Sequence, residues 1–92
     1  MDRFKDALTR RIFEGEVLKG FPPDVLRRAV IKLTMVEAVT DIRELATPPS
    51  NNLEKLKGDR VGQWSIRVNE KYRICFKWRD GHACEIEFTD YH

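Results

Sequence analysis

The stretch from residue 64 to residue 88, WSIRVNEKYRICFKWRDGHACEIEF, decides the fold because its apolar residues recur at every second position. The apolar positions are Trp64, Ile66 and Val68, then Tyr72, Ile74, Phe76 and Trp78, and then Cys84, Ile86 and Phe88. A period of two predicts three β-strands, each buried on one face. A shorter strand is expected before them, around Leu53 to Leu56.

Upstream of these strands the apolar residues recur at helical spacing. Phe4, Leu8, Ile12 and Phe13 predict a short amphipathic helix that stops near Gly15 or Gly20. Pro22-Pro23-Asp24 opens a second helix, since proline suits a first turn and an early acid suits the helix dipole. Its apolar stripe is Leu26, Ala29, Val30, Leu33, Val36 and Val39.

A short turn from Asp41 to Leu45 is expected before residues 47–52, a cluster of helix breakers that marks the switch to strand periodicity. Helices first and strands afterwards predict an α+β fold. We expect two N-terminal helices packed on an antiparallel sheet of about four strands, in a single domain spanning residues 1–92.

The composition limits the class of protein. A chain of 92 residues has room for one core, and charged residues at 35% are typical of a globular domain. No apolar run approaches the roughly 20 residues that a membrane-spanning helix needs, and the N-terminus lacks the apolar segment of a signal peptide. We therefore expect a cytoplasmic protein without membrane contact. Cys75 and Cys84 are interpreted as small buried or half-buried side chains, with no disulfide, metal or other cofactor.

Positive charge is concentrated in one segment. Residues 51–79 contain eight basic and three acidic residues, whereas residues 80–92 contain four acidic residues and neither Lys nor Arg. A folded surface with this excess would suit a phosphate backbone. The alternative is that these charges only solvate a sheet.

Hairpin register predicts which side chains share a face. A three-residue loop at Asn69 to Lys71 places Arg67 opposite Arg73. A second three-residue loop, Arg79-Asp80-Gly81, would place Phe76 opposite Cys84; a two-residue turn is rejected because it would mix apolar and charged positions on one face. The face away from the core then carries Ser65, Arg67, Arg73, Cys75, Lys77, Glu85 and Glu87.

Two arginines facing each other cost free energy unless an anion lies between them. A phosphate site at Arg67 and Arg73 is the interpretation we favour. In the alternative, Glu87 neutralises Arg73 in an ordinary cross-strand pair. Because Arg73 is expected to face outward, reversing its charge should abolish function with little change in melting temperature.

The chain ends in Asp90-Tyr91-His92, just beyond the last strand and expected near the Asn69 to Lys71 loop. Metal-free RNA cleavage needs groups that accept and donate protons, and cations that hold the charge developing on phosphorus. His92 is the best proton carrier of the three, since a histidine titrates near pH 6.5. Tyr91 could stack a base or donate a proton, and Asp90 could orient His92 or share its proton.

Other residues of functional type have simpler interpretations. The predicted electrostatic clamp is Arg73, Arg67 and Lys57. His82 lies in a hairpin turn and is expected to face solvent. Trp64 and Trp78 alternate with aliphatic residues and are expected to pack in the core.

Several segments together resemble one family of toxins. They are Pro48-Pro49-Ser50-Asn51-Asn52-Leu53, Leu56-Lys57-Gly58-Asp59-Arg60, Gly62-Gln63-Trp64-Ser65-Ile66-Arg67-Val68-Asn69, Tyr72-Arg73-Ile74-Cys75-Phe76 and Asp90-Tyr91-His92. Their order and spacing resemble the HigB branch of the RelE/ParE toxin superfamily. The match is close from Pro48 to His92 and looser upstream, where it includes Phe13-Glu14-Gly15 and the lengths of both helices.

This resemblance implies a RelE-like fold and a ribosome-dependent endoribonuclease that cleaves mRNA in the ribosomal A site without metal. It also implies a HigA-type helix-turn-helix antitoxin, which binds the toxin and contacts operator DNA. By position, the residues matching family functional sites are Lys57, Arg73, Asp90, Tyr91 and His92. From charge and facing we add Arg60 and Arg67 as RNA or phosphate contacts, and Lys71 and Lys77 are further candidates for this role.

The resemblance has one departure, because Glu54 stands where some members carry an active-site histidine. The general base is therefore open among Asp90, Glu54 and Tyr91, beside His92. Two other functions compete with the ribonuclease. One is a ParE-like gyrase poison, and the other is a non-catalytic module that binds ribosomal RNA through the basic sheet.

Overall fold

The computed structural model describes residues 3–90. Two helices come first, α1 (Ala7–Phe13) and α2 (Pro23–Ala38), and then four strands, β1 (Glu54–Lys55), β2 (Gln63–Arg67), β3 (Arg73–Arg79) and β4 (His82–Thr89). The sheet order is β1-β2-β3-β4, and all neighbours are antiparallel. The predicted α+β class and the short first strand are confirmed. Within residues 3–90 no helix combines the length and the apolar character needed to cross a bilayer.

The first helix begins later than predicted. Phe4 is extended rather than helical and forms a parallel bridge with Ile86 of β4. Asp6 then caps α1, because its Oδ1 accepts hydrogen bonds from the backbone N–H and the hydroxyl of Thr9, at 2.9 and 2.6 Å. The buried Thr9 hydroxyl oxygen also accepts from the Phe88 N–H at 2.9 Å, which ties the start of α1 to β4.

Helix α2 has the predicted apolar stripe. Leu26, Ala29, Leu33 and Val36 are buried, while Val30 and Val39 are partly buried against the core. Its stripe packs on the sheet, whose contribution to the core includes Ile66, Ile74, Phe76, Ile86 and Phe88. Trp64 and Trp78 pack against the same cluster, as predicted.

Three short 3-10 turns connect α2 to the long strands, at Ile42–Ala46, Pro49–Asn51 and Gly58–Arg60. The first confirms the predicted turn after α2 and begins with a capping box made by Asp41 and Glu44. Asn51 is fully buried, and its Nδ2 donates to the carbonyls of Leu45 and Thr47 at 3.0 and 3.3 Å. This side chain therefore fixes the loop that leads into β1.

The β2–β3 hairpin has the predicted register. Arg67 lies opposite Arg73, and the Val68 N–H donates to the Tyr72 carbonyl at 3.0 Å. Asn69 closes the loop, because its Oδ1 accepts from the N–H groups of Lys71 and Tyr72 at 2.8 and 2.7 Å.

The predicted β3–β4 register is wrong. Arg79 pairs with His82 across the two-residue turn Asp80-Gly81, in which both residues have positive φ, at 55° and 81°. The ladder shifts between Cys75 and Lys77, so that Phe76 faces two residues of β4, Glu85 and Ile86, instead of Cys84. This β-bulge lets Ile86 remain in the core despite the short turn.

The surface of the sheet that points away from the helices is here called the outer face. Two of its residues are more buried than their position predicts. Ser65 and Cys75 are both fully buried. Both cysteines are free thiols, and Cys84 is half-buried. Burial raises the pKa of the Cys75 thiol against the opposing effect of the Arg60 charge. The outer face is therefore covered by its own long charged side chains.

Candidate active site on the outer sheet face

Three cross-strand rows organise the outer face. One row contains Arg67, Arg73 and Thr89, and the next contains Glu54, Ser65, Cys75 and Glu87. The third contains Gln63, Lys77 and Cys84. Because side chains of alternate residues share a face, the residues of all three rows project to the same side of the sheet.

The guanidinium of Arg73 is fixed by backbone and side-chain oxygens. Its Nε donates to the Ser65 hydroxyl at 2.9 Å, and its Nη2 donates to the Asn52 carbonyl at 2.9 Å. Glu54 Oε2 lies 3.8 Å from the same Nη2. Only 13% of the Arg73 side chain is exposed, so the outward-facing and freely replaceable arginine expected from the sequence is instead a packed one.

The predicted alternative partner of Arg73 is also different. The β-bulge places Glu87 opposite Cys75, where it accepts from Arg60 at 3.0 Å and from Lys5 at 3.5 Å. Arg73 meets Glu54 from β1 instead. An ion pair at 3.8 Å with a half-exposed carboxylate offsets little of the arginine's charge.

Lys57 follows Glu54 closely in the chain, just after the end of β1. It is exposed and immediately precedes the turn Gly58–Arg60. With Glu54, Lys55 and Leu56 it lines an open cavity of about 390 Å³. Glu54 thus links the two predicted cations, since its carboxylate approaches Arg73 while its strand leads directly into the Lys57 segment.

The end of β4 reaches the row of Arg67, Arg73 and Thr89, here called the arginine row. Thr89 lies opposite Arg73, and the exposed Asp90 follows it directly. Tyr72, beside Arg73, stacks on Phe88 with ring centroids 4.7 Å apart. The predicted approach of the chain end to the first hairpin therefore holds as far as Asp90. Tyr91 and His92, the remaining predicted catalytic residues, lie outside the described residues.

The other predicted phosphate contacts have different surroundings. Arg60 donates to Gln63 at 3.1 Å as well as to Glu87, and Lys77 pairs with Glu85 at 3.3 Å. Lys71 is exposed and lies 5.3 Å from the centre of the Tyr72 ring. Arg67 is exposed and has no carboxylate within ion-pair distance among residues 3–90.

Sequence reasoning missed the two groups that position Arg73. The sequence places Asn52 in a cluster of helix breakers and Ser65 on the outer face, and neither pattern predicts a contact with Arg73. The Asn52 backbone is left-handed, at φ 48°, which turns its carbonyl toward the sheet. Asparagine tolerates the left-handed region better than most residues, so its presence at position 52 is a local sequence signal for such a turn. Across residues 3–90, no three side chains of the His, Cys, Asp or Glu type come together as a metal site would require.

The fold, two helices on a four-stranded antiparallel sheet, defines a class of small α+β domains that includes a solved structure. The solved YoeB-YefM complex from Staphylococcus aureus contains a chain of this architecture, with a TM-score of 0.53 and 17% identity over 97% of this chain and 92% of that one. A family model described as the RelE-like toxin of the type II toxin-antitoxin system HigB matches residues 2–92. The chain therefore belongs to the HigB-like toxin family.

Two named relatives agree with this assignment. The protein named Endoribonuclease HigB of Proteus vulgaris is 36% identical over 89 residues, covering 97% of this chain and 96% of that protein. Toxin HigB-1 of Vibrio cholerae is 36% identical over 81 residues, covering 87% of this chain and 85% of that protein. The family resemblance read from the sequence is confirmed.

Proposed function

We propose that this chain is the endoribonuclease toxin of a type II toxin-antitoxin pair and that it cleaves mRNA in the ribosomal A site. The observation that carries the proposal is the arginine row, where Arg73 is held in place beside the end of β4. The name of the Proteus vulgaris relative, an endoribonuclease, supports the activity.

The proposed reaction is attack of a ribose 2′-OH on the adjacent phosphorus. A bond forms between the 2′-oxygen and phosphorus, the bond from phosphorus to the 5′-oxygen breaks, and a 2′,3′-cyclic phosphate and a 5′-OH result. One group accepts the 2′-OH proton, and another gives a proton to the leaving 5′-oxygen. No metal is required for this balance.

Arg73 is suited to stabilise the charge that develops on the phosphate oxygens. A guanidinium already held by Ser65 and Asn52 does not need to reorganise when the charge appears, which is the condition for strong electrostatic stabilisation. The hydrogen bonds of the Arg73 guanidinium to Ser65 and Asn52 are made by Nε and Nη2, and we assign Nη1 to the RNA phosphate. Lys57 and Arg67 are the other proposed members of the clamp.

Proton transfer is assigned to the end of the chain. Glu54 lies near Arg73 and accepts from Asn52 Nδ2 at 3.2 Å, so we give it the role of holding the guanidinium. Asp90, Tyr91 and His92 are then the proton carriers, with His92 the preferred one because imidazole as a group exchanges its proton near neutral pH. Arg60, Lys71 and Lys77 would add longer-range attraction for RNA.

The proposed partners are an antitoxin of the HigA type, with operator DNA bound through that antitoxin, and the 70S ribosome carrying mRNA. The family description supports an antitoxin, since it places these toxins in type II toxin-antitoxin systems. The Staphylococcus aureus neighbour is itself named as a complex of two proteins.

Deleting His92 tests the function. Growth arrest, ribosome binding and transcript cleavage, mapped by primer extension, are compared with the intact chain. The proposal predicts a folded protein that binds ribosomes but no longer cleaves. Arrest by the intact toxin with uncut transcripts would contradict the ribonuclease and favour a gyrase poison, whereas ribosome binding without cleavage by the intact toxin would favour a non-catalytic RNA-binding module.

A further inference from the structure

A second cationic site shares Arg67 with the row that contains Arg73. A cavity of about 370 Å³ opens between α2 and the end of β2, and its lining residues are Arg28, Lys32, Ser50, Arg67 and Val68. Three of these side chains are cations and one is a hydroxyl, and no carboxylate among residues 3–90 lines the cavity.

The α2 cations form a like-charge pair. Arg28 and Lys32 are one helical turn apart and therefore project to the same face, where like charges are destabilising. Burial lowers the pKa of Lys32, and the Arg28 charge lowers it further. The cavity therefore brings together cations that repel one another electrostatically.

Backbone and buried groups hold two of these cations in position. Lys32 Nζ donates to Oδ1 of Asn51, the fully buried residue that fixes the preceding loop. Arg28 Nη1 approaches the Val68 carbonyl at 3.4 Å. Neither contact neutralises the charge, because a carbonyl and an amide oxygen are uncharged acceptors.

Arg67 joins this pair from the sheet. It faces Arg73 across the strands, so it experiences like charge on both sides. An anion in the cavity would relieve both repulsions. A phosphodiester fits this chemistry, because guanidinium and ammonium groups recognise phosphate oxygens by charge-assisted hydrogen bonds.

We propose that Arg28, Lys32, Ser50 and Arg67 bind a second backbone phosphate of the RNA, separate from the phosphate held at Arg73. This subsite rests on the proposed ribonuclease function for its ligand. Arg67 lies between the two phosphates, and the α2 cavity anchors the strand while cleavage takes place at the Arg73 row. The two α2 members of the subsite, Arg28 and Lys32, contribute to RNA affinity and not to the chemical step.

Affinity for single-stranded RNA tests the subsite. The probe is a labelled RNA with 2′-O-methyl groups throughout, which cannot be cut by 2′-OH attack, and binding is followed by fluorescence anisotropy at several salt concentrations. Arg28→Gln keeps a donor for Val68 but removes the charge. The matched control is Arg27→Gln, which removes the same charge from the exposed neighbouring position of α2, outside this cavity.

The proposal predicts that Arg28→Gln weakens binding about 5- to 10-fold and lowers the slope of log Kd against log salt by about 0.7, the value for one phosphate contact on a single strand. Arg27→Gln should change the affinity less than about 2-fold. Equal affinities and equal slopes for the two variants would overturn the subsite.

Ser50→Asp is a second variant with opposed expectations. A carboxylate in the cavity should raise the melting temperature, because it relieves the repulsion among the cations, and should weaken RNA binding about 10-fold, because it repels phosphate. Unchanged RNA affinity with a raised melting temperature would show that the cations serve only the fold, and would overturn the proposal.

Failure of the subsite and failure of the ribonuclease are distinguishable. If the wild type cuts mRNA on ribosomes while Arg28→Gln and Arg27→Gln bind RNA equally, the nuclease stands without the subsite. If the wild type binds the methylated RNA through Arg28 but cuts no mRNA, the subsite stands without the nuclease. Loss of antitoxin binding in Arg28→Gln with normal RNA affinity would assign the cavity to the protein partner instead, and would overturn the RNA proposal.

Discussion

Replacing Arg73 by lysine should lower both the free energy of unfolding and the rate of transcript cleavage, and the two losses can be measured separately. A lysine keeps the charge, but its single ammonium group does not reproduce the planar donors that reach Ser65 and Asn52. We expect at least one of these hydrogen bonds to be lost. Hydrogen bonds to charged groups contribute about 1.5–3 kcal/mol each, so the free energy of unfolding should fall by about that amount.

For a domain of this size, about 1 kcal/mol corresponds to a shift of roughly 4–8 °C, so Arg73→Lys should lower the melting temperature by on the order of 10 °C. Transcript cleavage should fall about 10²- to 10³-fold, the usual effect of removing one oriented donor from a site that stabilises developing charge. The assay combines thermal unfolding with primer extension at a temperature where both proteins are folded.

Arg67→Lys is the matched control for this variant. Its side chain is exposed and has no ion pair among the residues from Arg3 to Asp90, so its melting temperature should stay within about 2–4 °C of wild type. Cleavage by Arg73→Lys at the wild-type rate would refute the role of the oriented guanidinium. An unchanged melting temperature would refute the assignment of Ser65 and Asn52 as its supports.

Three further predictions concern the fold that carries the site. Thr9→Val removes the buried hydroxyl that accepts from the Phe88 N–H, so the free energy of unfolding in urea should fall by about 1–3 kcal/mol. The control Thr34→Val, on the exposed face of α2, should lower it by about 0.5 kcal/mol or less. Equal losses would contradict the role assigned to the Thr9 hydroxyl. Glu85→Gly should stabilise the protein by about 1 kcal/mol, because Glu85 has a left-handed φ of 48° at the β-bulge, and a lower melting temperature would count against that strain. Hydrogen bonds from Arg43 lower the pKa of Asp41 from 3.8 to about 2, so the ionised carboxylate stabilises the fold at pH values above the unfolded pKa, and this stability is lost as pH falls through about 2. The difference in urea midpoint between wild type and Asp41→Asn should therefore shrink from pH 5 to pH 2. A constant difference would show that Asp41 does not titrate in this way.

The β2–β3 hairpin was predictable because one rule decides it. Apolar alternation continues on both sides of Asn69 to Lys71, so only one register keeps Val68 and Tyr72 on the core side. The opposition of Arg67 and Arg73 followed directly. The α2 stripe was predictable for the same reason, since a single helical period fits every apolar position.

The β3–β4 hairpin was not predictable from alternation alone. Asp80-Gly81 is a strong signal for a two-residue turn, but it conflicts with the apolar pattern unless one strand carries an extra residue. The chain resolves the conflict with a bulge at Glu85 and Ile86. Because that bulge places a glutamate at positive φ, no residue preference marked its position.

The supports of Arg73 could not be read from sequence because they depend on distant backbone. Asn52 is 21 positions away from Arg73, and its contact is made through a carbonyl that every residue possesses. The burial of Arg73 depends on the path of the loop before β1, which the buried Asn51 fixes. The same loop explains why Lys32, Ser50 and Arg67 meet, a juxtaposition that charge counting along the chain does not show.

The most direct test of cleavage by 2′-OH attack uses ribosomes programmed with a matched pair of mRNAs. One mRNA is all-ribose, and the other carries a single 2′-O-methyl group on the nucleotide before the cut. Attack by the 2′-OH predicts cleavage of the first mRNA only, leaving a 2′,3′-cyclic phosphate upstream and a 5′-OH downstream. Cleavage of the methylated mRNA at the same bond, or a product ending in a 5′-phosphate, would contradict it.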